Sequence, residues 1–350
     1  MKKSYRYKIF IVFSFFTLLC GCWDIKEINH QTLPLVIAIS MENDEEYKLT
    51  VQIPITNNES NLSRIVTEEG NSVSSVLGQI QTNSEKAVNY SQIQLIVIHN
   101  NLAKNKQELR RLITFLMNSK VISSRALLAI TDDNIEKVLT SINDKLGARA
   151  SSISDYFNKG VDWAPEISRA RIWEAYQSLF SYTKDIAIPI IRSGKDTVLN
   201  YEGSAILNNG EFVERITPNE SLLINLFQKQ TSKGKVENVG SASIVITDSS
   251  IQTKTSMRNN KPLVLRDLYI KIDILERKEG MTNIQINKEL ERLIERRFYN
   301  TFEKAQRYNT DIFGFGQYFR SHIPYHELKK WREVFYPKLQ VYFQVHVIKE

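Results

Sequence analysis

The stretch Asp267-Leu268-Tyr269-Ile270-Lys271-Ile272-Asp273-Ile274 alternates without a break, with four aliphatic side chains on one parity and Asp267, Tyr269, Lys271 and Asp273 on the other. Successive side chains of a strand point to opposite faces, so this pattern predicts a sheet strand with one buried face. The end of the chain repeats the device with Leu339, Val341, Phe343, Val345 and Val347. Between the two the period changes. Leu290, Leu293, Ile294, Phe298, Phe302 and Ala305 fall on one stripe of a helix running from about Ile284 to Arg307, which most simply packs across the sheet that the two strands help to build.

Upstream, Thr217-Pro218-Asn219-Glu220 offers a capping hydroxyl, a proline at the first helical position and a glutamate behind it, so a helix through Leu222, Leu223, Leu226 and Phe227 is expected. It follows a short strand, Gly203 to Leu207, and a turn at Asn208-Asn209-Gly210. Ser193-Gly194-Lys195-Asp196 interrupts the apolar pattern and suggests a boundary, dividing the chain after the leader into an N-terminal α+β region, 22–198, and a C-terminal α+β domain, 199–350.

In the first region, Leu33 to Ser40 and Tyr47 to Ile55 read as a hairpin, followed by a polar exposed loop from Asn57 to Gly70. A helix is expected over Val73 to Gln81, a strand through Ile93, Leu95 and Val97, and a helix carrying Leu109, Leu112, Ile113 and Leu116. A strand over Arg125 to Ile130 comes next, then a helix opened by an Asp133 to Glu136 capping box, and a longer one from Asp162 to Phe180 opened by Pro165. The fold class is therefore α+β and multi-domain, with mixed or antiparallel sheets each packed with helices and a long C-terminal helix set between sheet strands.

The N-terminus has Lys2, Lys3, Arg6 and Lys8 ahead of a short apolar run, the form of an export signal (residues 1–21) too short for a comfortable membrane span. It ends in Leu19-Cys20-Gly21-Cys22, a lipobox. Leu19 and the small Gly21 suit signal-peptidase recognition, and the Cys22 thiol is the expected site of a diacylglyceryl group, with membrane lipid as its partner. The alternatives are an ordinary secretory signal with a chance cysteine, or an uncleaved anchor. Cleavage removes Cys20 and four basic residues, leaving no disulfide and 42 basic against 39 acidic side chains instead of the +7 of the whole chain. A body so nearly neutral gives no case for nucleic-acid binding.

Candidate chemistry is sparse. Ser181 to Lys184 and Ser232 to Lys235 have the form S-x-x-K without companion motifs. His322 and His326 are four apart, but Pro324 between them breaks a continuous helix and no third ligand is evident, so no metal is expected. No phosphate-binding glycine loop, cofactor motif or catalytic constellation stands out, and an enzyme is not expected. The most unusual local string is Asp311-Ile312-Phe313-Gly314-Phe315-Gly316. Phe313 and Phe315 are read either as aromatics tucked into the core by a turn or as an exposed patch for partner contact, two readings that predict opposite burial.

Several strings resemble the C subunits of spore germinant receptors, the Ger(x)C lipoproteins of endospore-forming bacteria. They are Cys22-Trp23-Asp24 with Glu27-Ile28-Asn29, then Gly203-Ser204-Ala205-Ile206-Leu207, then Lys304-Ala305-Gln306 leading into Asp311 to Gly316, with weaker likeness over Gly70 to Ile80 and Gln94 to Lys104. The sequence departs from the family pattern at Ala38-Ile39-Ser40 and at Ser91-Gln92. The resemblance implies α+β domains with mixed sheets and a non-enzymatic, lipid-anchored subunit on the outer face of the spore inner membrane. Polytopic A and B subunits would be its partners in a nutrient-sensing complex. A substrate-binding lipoprotein of an uptake system is the alternative, and its two-lobed architecture fits the hairpins and the long final helix poorly.

Overall fold

The computed structural model describes residues 31–43, 46–54, 63–146, 153–158, 164–228, 232–277 and 280–348. Its strands of four or more residues are β1 (Val36–Asn43), β2 (Glu46–Pro54), β3 (Ser63–Gly70), β4 (Leu95–His99), β5 (Leu127–Thr131), β6 (Ile186–Ser193), β7 (Leu199–Asn208), β8 (Glu211–Ile216), β9 (Val236–Val239), β10 (Ala242–Arg258), β11 (Lys261–Arg277) and β12 (Gln340–Val347). The helices are α1 (Val73–Asn83), α2 (Asn100–Lys104), α3 (Lys106–Asn118), α4 (Ile135–Leu146), α5 (Ile153–Asn158), α6 (Ile172–Phe180), α7 (Pro218–Phe227), α8 (Asn283–Arg307) and α9 (Tyr325–Leu328).

Strands β8-β7-β6-β5-β4-β1-β2-β3 lie in that order in a nine-stranded sheet, whose ninth member is the two-residue strand Ala170–Arg171 beside β5. Its centre, β6-β5-β4-β1, is parallel, and hairpins close both edges. Parallel strands must be covered on both faces, and they are. Ile96, Ile98, Leu128 and Ile130 pack under α1, α3 and α6, while Leu95, Val97, Leu127 and Ala129 meet α4 and α5. The interruption at Ser193–Asp196 is the turn of the β6–β7 hairpin, so the sheet runs on through it. Ile188 and Ile190 face the first core, whereas Ala187 and Ile206 belong to the C-terminal one, which joins α7 and α8 to the second sheet.

That second sheet has the order β9-β10-β11-β12, with β12 parallel to β11 so that Leu268 stands opposite Val345. The expected one-sided burial holds: Leu268, Ile270, Val341, Phe343 and Val345 are buried against Leu290, Ile294 and Phe298 of α8. Thr282 caps that helix reciprocally with Gln285, and Thr217 caps α7 with Glu220 as its sequence predicts.

Three local expectations are corrected. Residues 63–70, expected as loop, form edge strand β3, whose half-buried polar side chains are bound to β2: Thr67 hydrogen-bonds Thr50 at 3.1 Å and Glu69 pairs with Lys48 at 3.1 Å. The helix expected from Asp162 begins only at Ile172, where the Arg171 N–H donates to the Glu174 carboxylate at 2.9 Å; Pro165 lies in irregular chain ahead of it, and 162 and 163 fall outside the described residues. Asn134, not Asp133, caps α4, because the Asp133 carboxylate is taken by the Ser193 amide at 2.9 Å and hydroxyl at 2.6 Å.

Candidate functional site

Helix α8 ends at Arg307, and Asn309 takes the left-handed conformation (φ 52°). The Thr310 N–H then reaches the Ala305 carbonyl at 2.9 Å and that of Asn309 reaches Gln306 at 3.0 Å, a Schellman stop that turns the chain inward. Asp311, the next residue, is fully buried. One carboxylate oxygen accepts the Phe315 N–H at 2.8 Å, and the other accepts the Gly316 N–H at 2.7 Å and the Trp331 indole N–H at 2.9 Å. The carboxylate therefore holds the Phe315–Phe319 turn and pins Trp331 against it. Gly316 is required by this approach, since a Cβ there would lie 2.7 Å from both the Trp331 ring and the Thr183 Cβ.

A second buried carboxylate meets the first. Asp185, just ahead of β6, donates its N–H to the Asp311 carbonyl at 3.1 Å and accepts the Asp311 N–H on Oδ2 at 2.7 Å. Arg332 reaches its Oδ1 at 2.5 Å and Oδ2 at 3.4 Å. Burial pushes the Asp185 carboxyl up to about 6 against the pull of Arg332, and pushes Asp311 up to about 7 against its three N–H donors, with the Asp185 charge adding to the rise. The Tyr336 hydroxyl, buried near both acids, has no hydrogen-bond partner among the described residues.

Phe313 and Phe315 are 3% and 0% exposed, so the core reading holds and the partner-contact reading is overturned: neither ring is at the surface. Phe313 packs 4.8 Å from Phe227 and 5.3 Å from Phe298, and Phe315 lies edge-on to Phe302 at 5.8 Å. Arg266, pointing inward from β11, completes the cluster. Its guanidinium stacks 3.9 Å over Phe227 and donates to the Phe227 carbonyl at 3.1 Å, at the C-terminus of α7 where a cation is favourable.

A cavity of about 190 Å³ opens beside this junction. Its lining includes Ser168, Trp173, Lys184 and Asp185, Asn225 in the last turn of α7, and Gln317 of the turn that Asp311 holds. Asp185, one member of the carboxylate pair, thus lines a concave surface assembled from both halves of the chain.

Cys22, Leu19 and Gly21 lie outside the described residues. The S-x-x-K serines show no catalytic arrangement: the Ser181 hydroxyl accepts the Thr183 N–H at 3.3 Å, and Lys235 pairs with Glu166 at 3.4 Å. His326 is exposed beside Glu327, and among the described residues no cluster of three or more His, Cys, Asp or Glu is placed to hold a metal. His346 stacks on Tyr269 and meets Asp267 at 3.2 Å. Sequence reading missed Asp185, Trp331 and Arg332. The one available signal was an aspartate directly before the unbroken apolar run Ile186 to Ile191.

Residues 24–193 match the family model described as the spore germination protein N-terminal domain, and residues 202–348 match that described as spore germination B3/GerAC-like, C-terminal. The chain is 21% identical to spore germination protein KC of Bacillus subtilis (strain 168), over 93% of this chain and 90% of that one. It is 42% identical to spore germination protein B3 of the same organism over 45 residues, 13% of this chain and 12% of that one. The fold matches the crystal structure of the GerBC protein with a TM-score of 0.53, covering 89% of this chain and 97% of that chain at 17% identity.

Proposed function

Because the chain belongs to the spore germination protein family of GerAC type, matched in both its N- and C-terminal domains, we propose that it is the C subunit of a germinant receptor, a non-enzymatic protein held by lipid on the outer face of the spore inner membrane. The observation that carries this reading is the family match running in order through both halves of the chain, directly behind the Leu19-Cys20-Gly21-Cys22 lipobox. Among the described residues no helix is long and apolar enough to cross a membrane. Diacylglyceryl on Cys22 confines the body to a thin layer beside polytopic A and B subunits. Their effective concentration rises without any new contact, so weak interfaces suffice.

Deletion of the gene and assay of spore germination against a panel of nutrients tests the role. Loss of the response to at least one nutrient is expected, and unchanged responses to all of them would overturn it. Cys22→Ala should leave the fold intact while releasing the protein from the membrane fraction. Intact-mass analysis of native protein that finds residue 22 without lipid would remove the anchor from the proposal.

A further inference from the structure

We propose that the cavity between Arg169, Trp173, Lys184 and Asn225 is a binding site for a small organic carboxylate carrying a flat apolar part, an inference independent of the germination role.

The cavity lies where the segment before α6, the outer face of that helix, the start of β6, the end of α7 and the Phe315–Phe319 turn converge. Seams of this kind, concave and walled by several elements, are where small-molecule sites sit. Four charged side chains line it: Arg169, Lys184, Glu174 and Asp185. Both carboxylates are engaged. Glu174 accepts the Arg171 N–H at 2.9 Å at the start of α6, and Asp185 is held by Arg332 and by the Asp311 N–H.

Among the described residues the two cations are not engaged. Arg169 and Lys184 are half-buried, and neither has an ion pair or a hydrogen bond among the described residues. Two partly desolvated positive charges beside one cavity are unfavourable alone, and an anion seated between them offsets that cost. The Lys184 stem runs beside Gly314, where a Cβ would stand 3.5 Å from the lysine Cγ.

The floor is fixed before any ligand arrives. Buried Asn225 donates to the Pro165 and Ile167 carbonyls at 2.8 and 3.2 Å, and the Ser168 hydroxyl is held by Ser204 at 2.9 Å. Trp173, 39% exposed for so large an apolar side chain, supplies a flat wall, with Ile224 and Ala187 buried around it. A cavity of about 150 Å³ takes up benzene, so about 190 Å³ admits one ring with a carboxylate.

Calorimetric titration of the full chain in a non-ionic detergent, with benzoate, benzamide, benzylammonium and acetate as probes, tests the proposal. Saturable binding of benzoate is expected, with the neutral, cationic and ring-less probes each weaker by about tenfold or more. R169Q and K184Q should each weaken benzoate about tenfold, with R169K retaining most of the affinity. Absence of saturable benzoate binding, or benzamide or acetate binding as tightly as benzoate, would overturn the proposal. So would unchanged benzoate affinity in glutamine variants that melt like the parent protein. The probe series on the unsubstituted chain decides the question even if a variant fails to fold.

Discussion

Asp311 and Asp185, separated by 126 residues in the chain, exchange two hydrogen bonds in the interior: the Asp311 N–H gives to the Asp185 carboxylate at 2.7 Å and the Asp185 N–H gives to the Asp311 carbonyl at 3.1 Å. This contact sews the start of β6, a central strand of the large sheet, to the segment that leaves α8. The two halves matched by separate family models therefore share a buried polar node as well as a sheet. Charge buried this deeply is sensitive to pH and to the loss of any single donor, and both sensitivities can be measured.

The carboxyls of Asp185 and Asp311 stand at about 6 and about 7, above the ordinary aspartate range near 3.8. The folded state therefore keeps protons that the unfolded chain has released, so stability falls as pH rises from about 4 to about 7. Asp132 is held low by its Arg215 hydrogen bond, and its contribution is lost in the opposite direction, below the ordinary aspartate range. Thermal melts across pH 4 to 8 should show the highest melting temperature on the mildly acid side. Asp311→Asn should flatten the decline while lowering stability throughout, because an amide keeps one acceptor oxygen and must turn its NH2 toward at least one of the Phe315, Gly316 and Trp331 N–H donors.

Gly316→Ala should cost about 1–3 kcal/mol, since the added methyl meets the rigid Trp331 ring and the Thr183 Cβ at 2.7 Å with no flexible side chain to give way. Chemical denaturation measures it. Gly314→Ala tests a different cause: its φ of +69° strains any side chain, while the space around it is ordinary van der Waals contact. Near-native stability of Gly316→Ala would mean that the packing around Trp331 is looser than described.

Phe315→Ala should lower stability by about 3–5 kcal/mol, as expected for truncation of a fully buried aromatic. If the ring instead served a surface contact, the melting temperature would stay put and only association with partners would change. Melting curves of the isolated protein separate the two outcomes.

Much of this fold is legible in the sequence because one-sided burial leaves a period. The stripe from Leu290 to Ala305 gave its helix within a residue, the alternation of Leu268 to Ile274 falls inside a strand that runs from Lys261 to Arg277, and the Thr217 and Thr282 helix starts carry standard caps. Edge strand β3 left no such mark, since its side chains are half-buried almost throughout and no parity is favoured. The start of α6 was hidden because its cap residue is Arg171, a type without a capping preference. Asp311 drew notice through its glycine and phenylalanine neighbours, but its partners Asp185, Trp331 and Arg332 are local to nothing that predicts them. Their pairing is a product of tertiary packing, and only three-dimensional closure brings them together.

Arg332→Gln gives the sharpest test of the node, because its effect depends on the charge state of the group it leaves behind. Asp185 is wholly buried and Arg332 is its cation, at 2.5 Å. Removing one partner of a buried ion pair costs about 3–5 kcal/mol when the remaining charge has no compensation. That condition holds at pH 8, where Asp185 is ionised. Near pH 5 the carboxyl, standing at about 6 even with Arg332 present and higher without it, is largely protonated, and the glutamine leaves a neutral acid in place of a stranded anion. Urea melts of the parent and variant at the two pH values should therefore show a large loss at pH 8 that shrinks by more than half at pH 5. An equal loss at both would mean that Arg332 acts through packing alone, and that Asp185 keeps its charge across this range.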